Sequence, residues 1–202
     1  MANANVNSGF TAGGEVLRAR LYPVITAPTI NIMMGDMVLE EVSGVVSPKL
    51  GICAAVYDAA VIPANPGDNF LMLGAVIECY DENMDPIKYI AATRVGDGTC
   101  AGYVLVADHP DQQFIANVDA ALTAADLELN YDIGSEALSA GWTDTGISKQ
   151  RITVTGAAVT QTLPIRLYGQ AFPGVDVYSA AGCRMICQIN PLCHKYGAGV
   201  TI

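Results

Sequence analysis

Histidine is nearly absent from this chain of 202 residues, which holds only His109 and His194. Neither stands in a G-x-S-x-G elbow, an H-E-x-x-H helix or another catalytic spacing, so the common hydrolase and zincin motifs are excluded. Positive charge is scarce too: 10 Lys and Arg against 20 Asp and Glu leave a net charge of −10. A field of that sign repels phosphate and offers little counterion release, which argues against nucleic acid as a partner. Charged residues of either sign make up only 15% of the chain, below the globular average of about 25%. Such a surface is expected to be partly apolar and to bury area against partners. Long hydrophobic runs are missing as well. The longest, such as residues 70–79, are strand length and far below the roughly 20 residues that span a bilayer. Residues 1–14 lack the basic and apolar regions of a secretion signal. The expectation is a soluble protein made in the cytoplasm, with no membrane partner.

What is present is apolar and β-prone. Hydrophobic residues make up 51% of the chain, enough for a sizeable core in one domain. Six cysteines in a chain of this length, with no signal peptide, argue against a disulfide framework. Cys53, Cys79 and Cys100 sit singly in apolar runs and read as small core residues.

The opening Ala-Asn-Ala-Asn-Val-Asn-Ser-Gly stretch has nothing to bury, so residues 1–17 read as an extended, flexible N-terminal arm. Residues 18–202 then form a single β domain with a loop excursion near 134–150. Short β-prone runs alternate with turn chemistry: Gly35-Asp36 precedes the run 37–42, and Asn65-Pro66-Gly67-Asp68 precedes 70–77. Residues 70–80 are apolar at nearly every position, as in a strand covered on both faces. Asp81 to Pro86 is a polar hairpin loop. Further strands are expected at 103–107, 113–118, 152–154, 163–168 and 183–190. Residues 120–129 are the one helix candidate, with Leu122, Ala125 and Leu129 at three-and-four spacing and Asp119 as N-cap. The fold class is therefore all-β: a small barrel or sandwich with long loops and at most one short helix.

Residues that carry chemistry elsewhere read here as structure. Cys183, Cys187, Cys193 and His194 have metal-ligand chemistry, but their spacing is not that of a zinc knuckle. The run 184–189 reads as a strand with Met185, Cys187 and Ile189 on one face, leaving core thiols, a zinc site or a disulfide as the alternatives. Asp81, Glu82, Asn83 and Asp85 supply closely spaced oxygens, yet Pro86 stands where a calcium loop demands glycine. Asp108, Asp111 and Asp126 read as solvated loop carboxylates, and His109 as a loop residue before Pro110. The glycines Gly96, Gly98 and Gly134, the last followed by Ser135, lack the context of a phosphate cradle. No catalytic, cofactor-binding or metal residue is assigned, and no cofactor is expected.

Several segments, taken in order, resemble a family of small tailed-bacteriophage head proteins that decorate, cement or stabilise the capsid. The opening through Phe10 is similar to their usual beginning, and Gly35-Asp36-Met37-Val38 to their "G-D-x-V" strand entry. Leu73-Gly74-Ala75-Val76 follows, then Tyr103 to Asp108 with Pro110-Asp111 and Phe114, which is the best match. The run from Ala124 to Ile133, then Leu163 to Leu167, and the strand ending Gln188-Ile189-Asn190 continue the likeness in the same order. Residues 52–65, 169–181 and 192–202 exceed the family pattern.

The resemblance implies a β core on the outside of an icosahedral shell, clamping major capsid protein against internal pressure. It also implies self-association as a trimer or dimer. Clamping needs repeated weak contact rather than an activated nucleophile. Localisation would be the outer surface of the virion, after synthesis in the bacterial host cytoplasm. Two other classes compete. A head fibre or host-attachment module needs a glycan-binding aromatic cluster, which nine tyrosines and Trp142 permit without gathering in sequence. An enzyme would have to use an unrecognised acidic site at Asp108, His109 and Asp111.

Overall fold

The computed structural model describes residues 9–24, 28, 30–40, 53–56, 71–98, 100–135, 145–158 and 163–194. Residues 1–8 of the arm, the turn 65–68, Trp142 within 136–144 and the tail 195–202 lie outside the described residues. Fourteen strands follow in chain order: β1 (Thr11–Ala12), β2 (Ala19–Val24), β3 (Ile32–Met33), β4 (Met37–Glu40), β5 (Cys53–Val56), β6 (Leu71–Tyr80) and β7 (Pro86–Ile87). Then come β8 (Tyr89–Ile90), β9 (Gly102–Ala107), β10 (Gln113–Asn117), β11 (Asn130–Ser135), β12 (Gln150–Ala158), β13 (Ile165–Gln170) and β14 (Arg184–Ile189).

The strands form two large antiparallel sheets and a small one. The first runs β1-β10-β14-β13-β11-β12, the second β2-β9-β6-β4-β5 with β7 beside β6, and β3 pairs with β8. The arrangement is sandwich-like, and neither large sheet closes into a barrel. In the first sheet a single bridge, Val118 to Ile152, carries the chain after β10 back toward β12. Pro23 lies on β2, at the edge of the second sheet, where its missing N–H costs no ladder bond.

Two apolar clusters account for the strand patterns. The larger joins the first sheet (Phe114, Tyr131, Ile152, Leu167, Cys187) to Met37, Met72, Ala75 and Ala107 of the second. The smaller gathers Val38, Leu73, Val76, Val104 and Val106 with Ile32 and Ile90 of the β3–β8 pair. The second sheet thus contributes side chains to both clusters, which explains why β6 is apolar at nearly every position. On β14 the expected alternation is present: Met185, Cys187 and Ile189 are buried, and Arg184, Ile186 and Gln188 are not.

The described part of the arm, residues 9–17, lies on its own fold. Phe10 is 1% exposed, a burial worth about 2–3 kcal/mol. Its N–H donates to Gly35 O at 2.8 Å, and Thr11 and Ala12 pair with Ile115 and Phe114. Gln112 pins the next residues: its Oε1 accepts from Leu17 N at 2.9 Å and its Nε2 donates to Glu15 O at 3.3 Å.

The helix expected over 120–129 is a correction. The chain makes only a 3₁₀ turn at Ala124–Asp126, and no α-helix occurs among the described residues. None long and apolar enough to cross a membrane is found there either. The expected N-cap is drawn elsewhere: Asp119 accepts from Val154 N at 2.8 Å on β12. Leu122 is pulled into the core, while Ala124 and Ala125 stay exposed and give no face to bury. Glu128 adopts φ 67° and donates its N–H to Leu167 O, so sheet pairing resumes at once.

Where β6 crosses β9, a Cβ added to Gly74 would stand 1.8 Å from Ala107 O. Backbone that close has no flexible neighbour to yield. Gly74→Ala is expected to cost about 3 kcal/mol or more, read as a lowered midpoint in urea. A loss under about 1 kcal/mol would refute the close approach.

Candidate functional site

Where β1 joins β10, Phe10, Val16, the turn residues Met34 and Gly35, Ile77 of β6 and Phe114 of β10 border an apolar groove of about 320 Å³. That is the lower end of the range for small-molecule pockets, roughly 300–1,000 Å³. At its border Val16 is 38% exposed; Leu17, the next residue, and Leu21, on the edge strand β2, are exposed as well. Chemically the groove offers contact area rather than proton donors or acceptors.

Behind it lies a buried polar clip. The turn between β3 and β4 places Asp36 at 5% exposure. Its carboxyl accepts from Met33 N at 2.7 Å and from the Ser148 hydroxyl. Ser148 Oγ also accepts from Gln150 N at 3.0 Å, and Gln150 Oε1 accepts from Met37 N at 2.6 Å. Met34 bridges Ile147, so residues 33–37 and 147–150 are stapled side by side. Gly9 threads between them at φ 63°, where a Cβ would meet Gly35 O at 2.5 Å and Ser148 Cβ at 2.6 Å. Burial outweighs the hydrogen bonds and pushes the Asp36 carboxyl up to about 7.

The carboxylates singled out in the sequence are each committed separately. Asp108 is fully buried rather than solvated, which corrects the loop expectation. It takes Arg18 Nε at 2.7 Å and the Tyr22 hydroxyl at 2.5 Å, locking the start of β2 to the end of β9. Asp111 is exposed and lies 3.9 Å from His109 Nδ1, which itself accepts from Asp111 N at 3.1 Å. Asp126 caps the 3₁₀ turn by accepting from Thr123 N and Oγ1 at 2.6 and 2.7 Å. In the hairpin, Asp81 Oδ1 accepts from Asn83 N and Asp85 N, and Glu82 pairs with Arg94 at 2.7 Å. The turn's own amides, first that of Asp85, hold the Asp81 carboxyl below its ordinary range. Gly96 and Gly98 occupy left-handed turn positions, while Gly134 and Ser135 belong to β11.

The thiols do not converge. Cys187 Sγ donates to Phe114 O at 3.5 Å, Cys193 Sγ to Leu163 O at 3.9 Å and Cys79 Sγ to Ile32 O at 3.7 Å. Cys183 lies 3.6 Å from Met185 Sδ. Cys79, Cys100, Cys183, Cys187 and Cys193 form no disulfide, and no three metal-ligating side chains gather among the described residues. Desolvation pushes the Cys187 thiol up, Cys79 to about 12 and Cys193 to about 11. His194 is fully buried beside β6, and burial lowers its imidazole to about 4.

The groove and the clip escape sequence reading because their parts are far apart: Asp36 and Ser148 are separated by 112 residues. The available signals were Phe10, the first aromatic residue after a run without one, and an Asp lodged between Gly35 and an apolar strand. No family model, no curated protein and no solved structure matches the chain.

Two expectations follow from the buried groups. Asp36, raised in the folded state, stabilises below about pH 4, and that stability is lost as pH climbs through about 7. His194, lowered in the folded state, disfavours folding as pH falls from about 6.5 to about 4. Between those limits the two slopes oppose one another. Relative to the native chain, Asp36→Asn should gain about 4 kcal/mol from pH 4 to 7, and His194→Gln should lose about 3 kcal/mol from pH 4 to 6.5. Urea denaturation across pH measures both; difference curves of the same sign would refute the assignment. The thiols give the second expectation. Cys79, Cys183 and Cys187 should resist iodoacetamide in the native chain at about pH 8 and react once it is unfolded. Peptide mass spectrometry reads this directly, and native labelling of any of the three would show the burial to be wrong.

Proposed function

We propose that this chain is a virion structural protein that binds the outer surface of the major capsid shell and stabilises it against internal pressure. The observation that carries the reading is the apolar groove bordered by Phe10 and the exposed Val16, with the exposed Leu17 next in the chain. On a chain of net charge −10 with few charged residues, such a rim is area to be buried against protein. The ordered likeness to capsid decoration and cement proteins supplies the partner, the major capsid protein. The acidic charge favours the outer face, away from packaged genome. Each contact need only be modest, because symmetry repeats it over the shell and converts weak binding into avidity.

The test is cryo-electron microscopy of virions carrying this chain, with a mass-spectrometric count of copies per particle. Copies at symmetry-repeated positions over the whole outer shell are the expected outcome. Absence from the shell, or a few copies at one vertex, would replace the reading with an attachment or enzymatic role. In the same system Val16→Asp combined with Leu17→Asp should weaken shell binding by roughly tenfold or more. The two changes should leave folding stability within about 1 kcal/mol.

A further inference from the structure

The loop joining β13 to β14, residues 171–183, carries the most exposed large apolar side chain among the described residues. Val175 is 66% exposed and Phe172, three places earlier, 39%, with Pro173 and Gly174 exposed between them. The tip is nevertheless held in one shape. Val175 N and Asp176 N donate to Phe172 O at 3.1 and 3.2 Å, and Gly174 takes φ 84°, so residues 172–176 form a tight turn. Gln170 Nε2 donates to Asp176 O at 3.1 Å. The Arg184 guanidinium donates to both Asp176 oxygens, at 2.9 and 3.0 Å, and lies 4.1 Å from the centre of the Phe172 ring. That contact fixes the ring at the surface and leaves little side-chain freedom to lose on binding. Asp176 is the one charged residue of the loop, and Arg184 neutralises it. Asp119 belongs to the segment that bonds to the loop through Val118 and Leu122, and its carboxylate accepts from Val154 N.

This tip and the border of the Phe10 groove stand at opposite ends of β10. Leu17 N is tied to Gln112, just before β10 begins, whereas Arg184 pairs with Asn117, where β10 ends. Five residues of extended strand put about 17 Å between these points. A chain with apolar contacts at both ends of one sheet can hold two neighbours at once. We propose that the Phe172–Val175 tip is a second anchor, seated in an apolar cleft of a shell subunit other than the one that covers the groove, so that each copy bridges two subunits. A convex tip of two side chains calls for a concave apolar site. Protein fits better than lipid, because residues 169–183 hold no Lys or Arg to meet anionic headgroups. The tip lies within 169–181, one of the stretches that exceed the family pattern, so the contact is particular to this chain and is not carried over from the resemblance. The inference rests on the reading of the chain as a shell-binding protein and names a surface and a bridging geometry for it.

Shells purified without this chain, titrated with the full chain and its variants, test the proposal. Val175→Asp, and separately Phe172→Ser combined with Val175→Ser, should each raise the dissociation constant from the shell by about tenfold or more, since loss of one anchor leaves only the other. Both variants should keep the melting curve and the solution mass of the native chain. With a benzophenone amino acid in place of both Leu17 and Val175, irradiation on the shell should yield an adduct of one copy with two major capsid protein chains, identified by mass spectrometry. Tip variants that bind like the native chain would overturn the proposal and leave the cement reading intact. So would double-labelled adducts holding a single capsid protein chain, or a link from position 175 to a second copy of this chain. Co-sedimentation with vesicles of anionic phospholipid that Val175→Asp abolishes would overturn it in favour of a lipid contact. A native chain that does not bind shells at all would overturn both this inference and the cement reading.

Discussion

Strand β6 is covered on both faces, and the rest of the architecture follows from that constraint. A strand with no wet side needs two covers. The first sheet supplies one through Phe114, Ile152 and Leu167, and the β3–β8 pair supplies the other through Ile32 and Ile90. Ladder pairing runs along both sides of β6, to β4 and to β9, with one register shift in each. The register shifts at Val38/Leu39 and Val76/Glu78, with Gly74 between them, let its neighbours approach closely enough.

The same constraint decides where polar groups sit. Asp36 and Asp108 lie just outside the strands next to β6, one before β4 and one after β9, and both are buried. Each is placed where chain ends would otherwise leave amides or a guanidinium without partners. Asp36 answers Met33 N and Ser148, while Asp108 answers Arg18 and Tyr22. With its buried acids consumed in this way, the chain presents apolar side chains, rather than reactive ones, around the Phe10 groove.

Much of the strand order is legible in the sequence because it rests on short-range pattern. The nearly continuous apolar run of β6, the period-two burial of β14 and the polar hairpin at Asp81 all follow from residues one to four places apart. The helix expected at 120–129 fails for a reason that local spacing cannot contain. Asp119 finds Val154, 35 residues away, and Leu122 finds Tyr178 O across the core. Asp108 misleads for the same reason, since nothing near it announces Arg18, 90 residues earlier. In the candidate site only the glycine turn before Asp36 has a local signature. The groove and the clip are products of long-range pairing.

Strand β1 sits in the first sheet although every other strand of that sheet comes from the second half of the chain. Its partner Ile115 is 104 residues downstream of Thr11. At about 5–20 residues per second on the ribosome, Phe10 waits on the order of 5–20 s before its socket exists. During that interval the second sheet has one apolar face without its cover, and its pairings are mostly non-local, the topology that folds slowly. Strand β1 therefore cannot take its place in the first sheet until β10 has been made, so the sheet that holds the N-terminal segment is completed only late in synthesis.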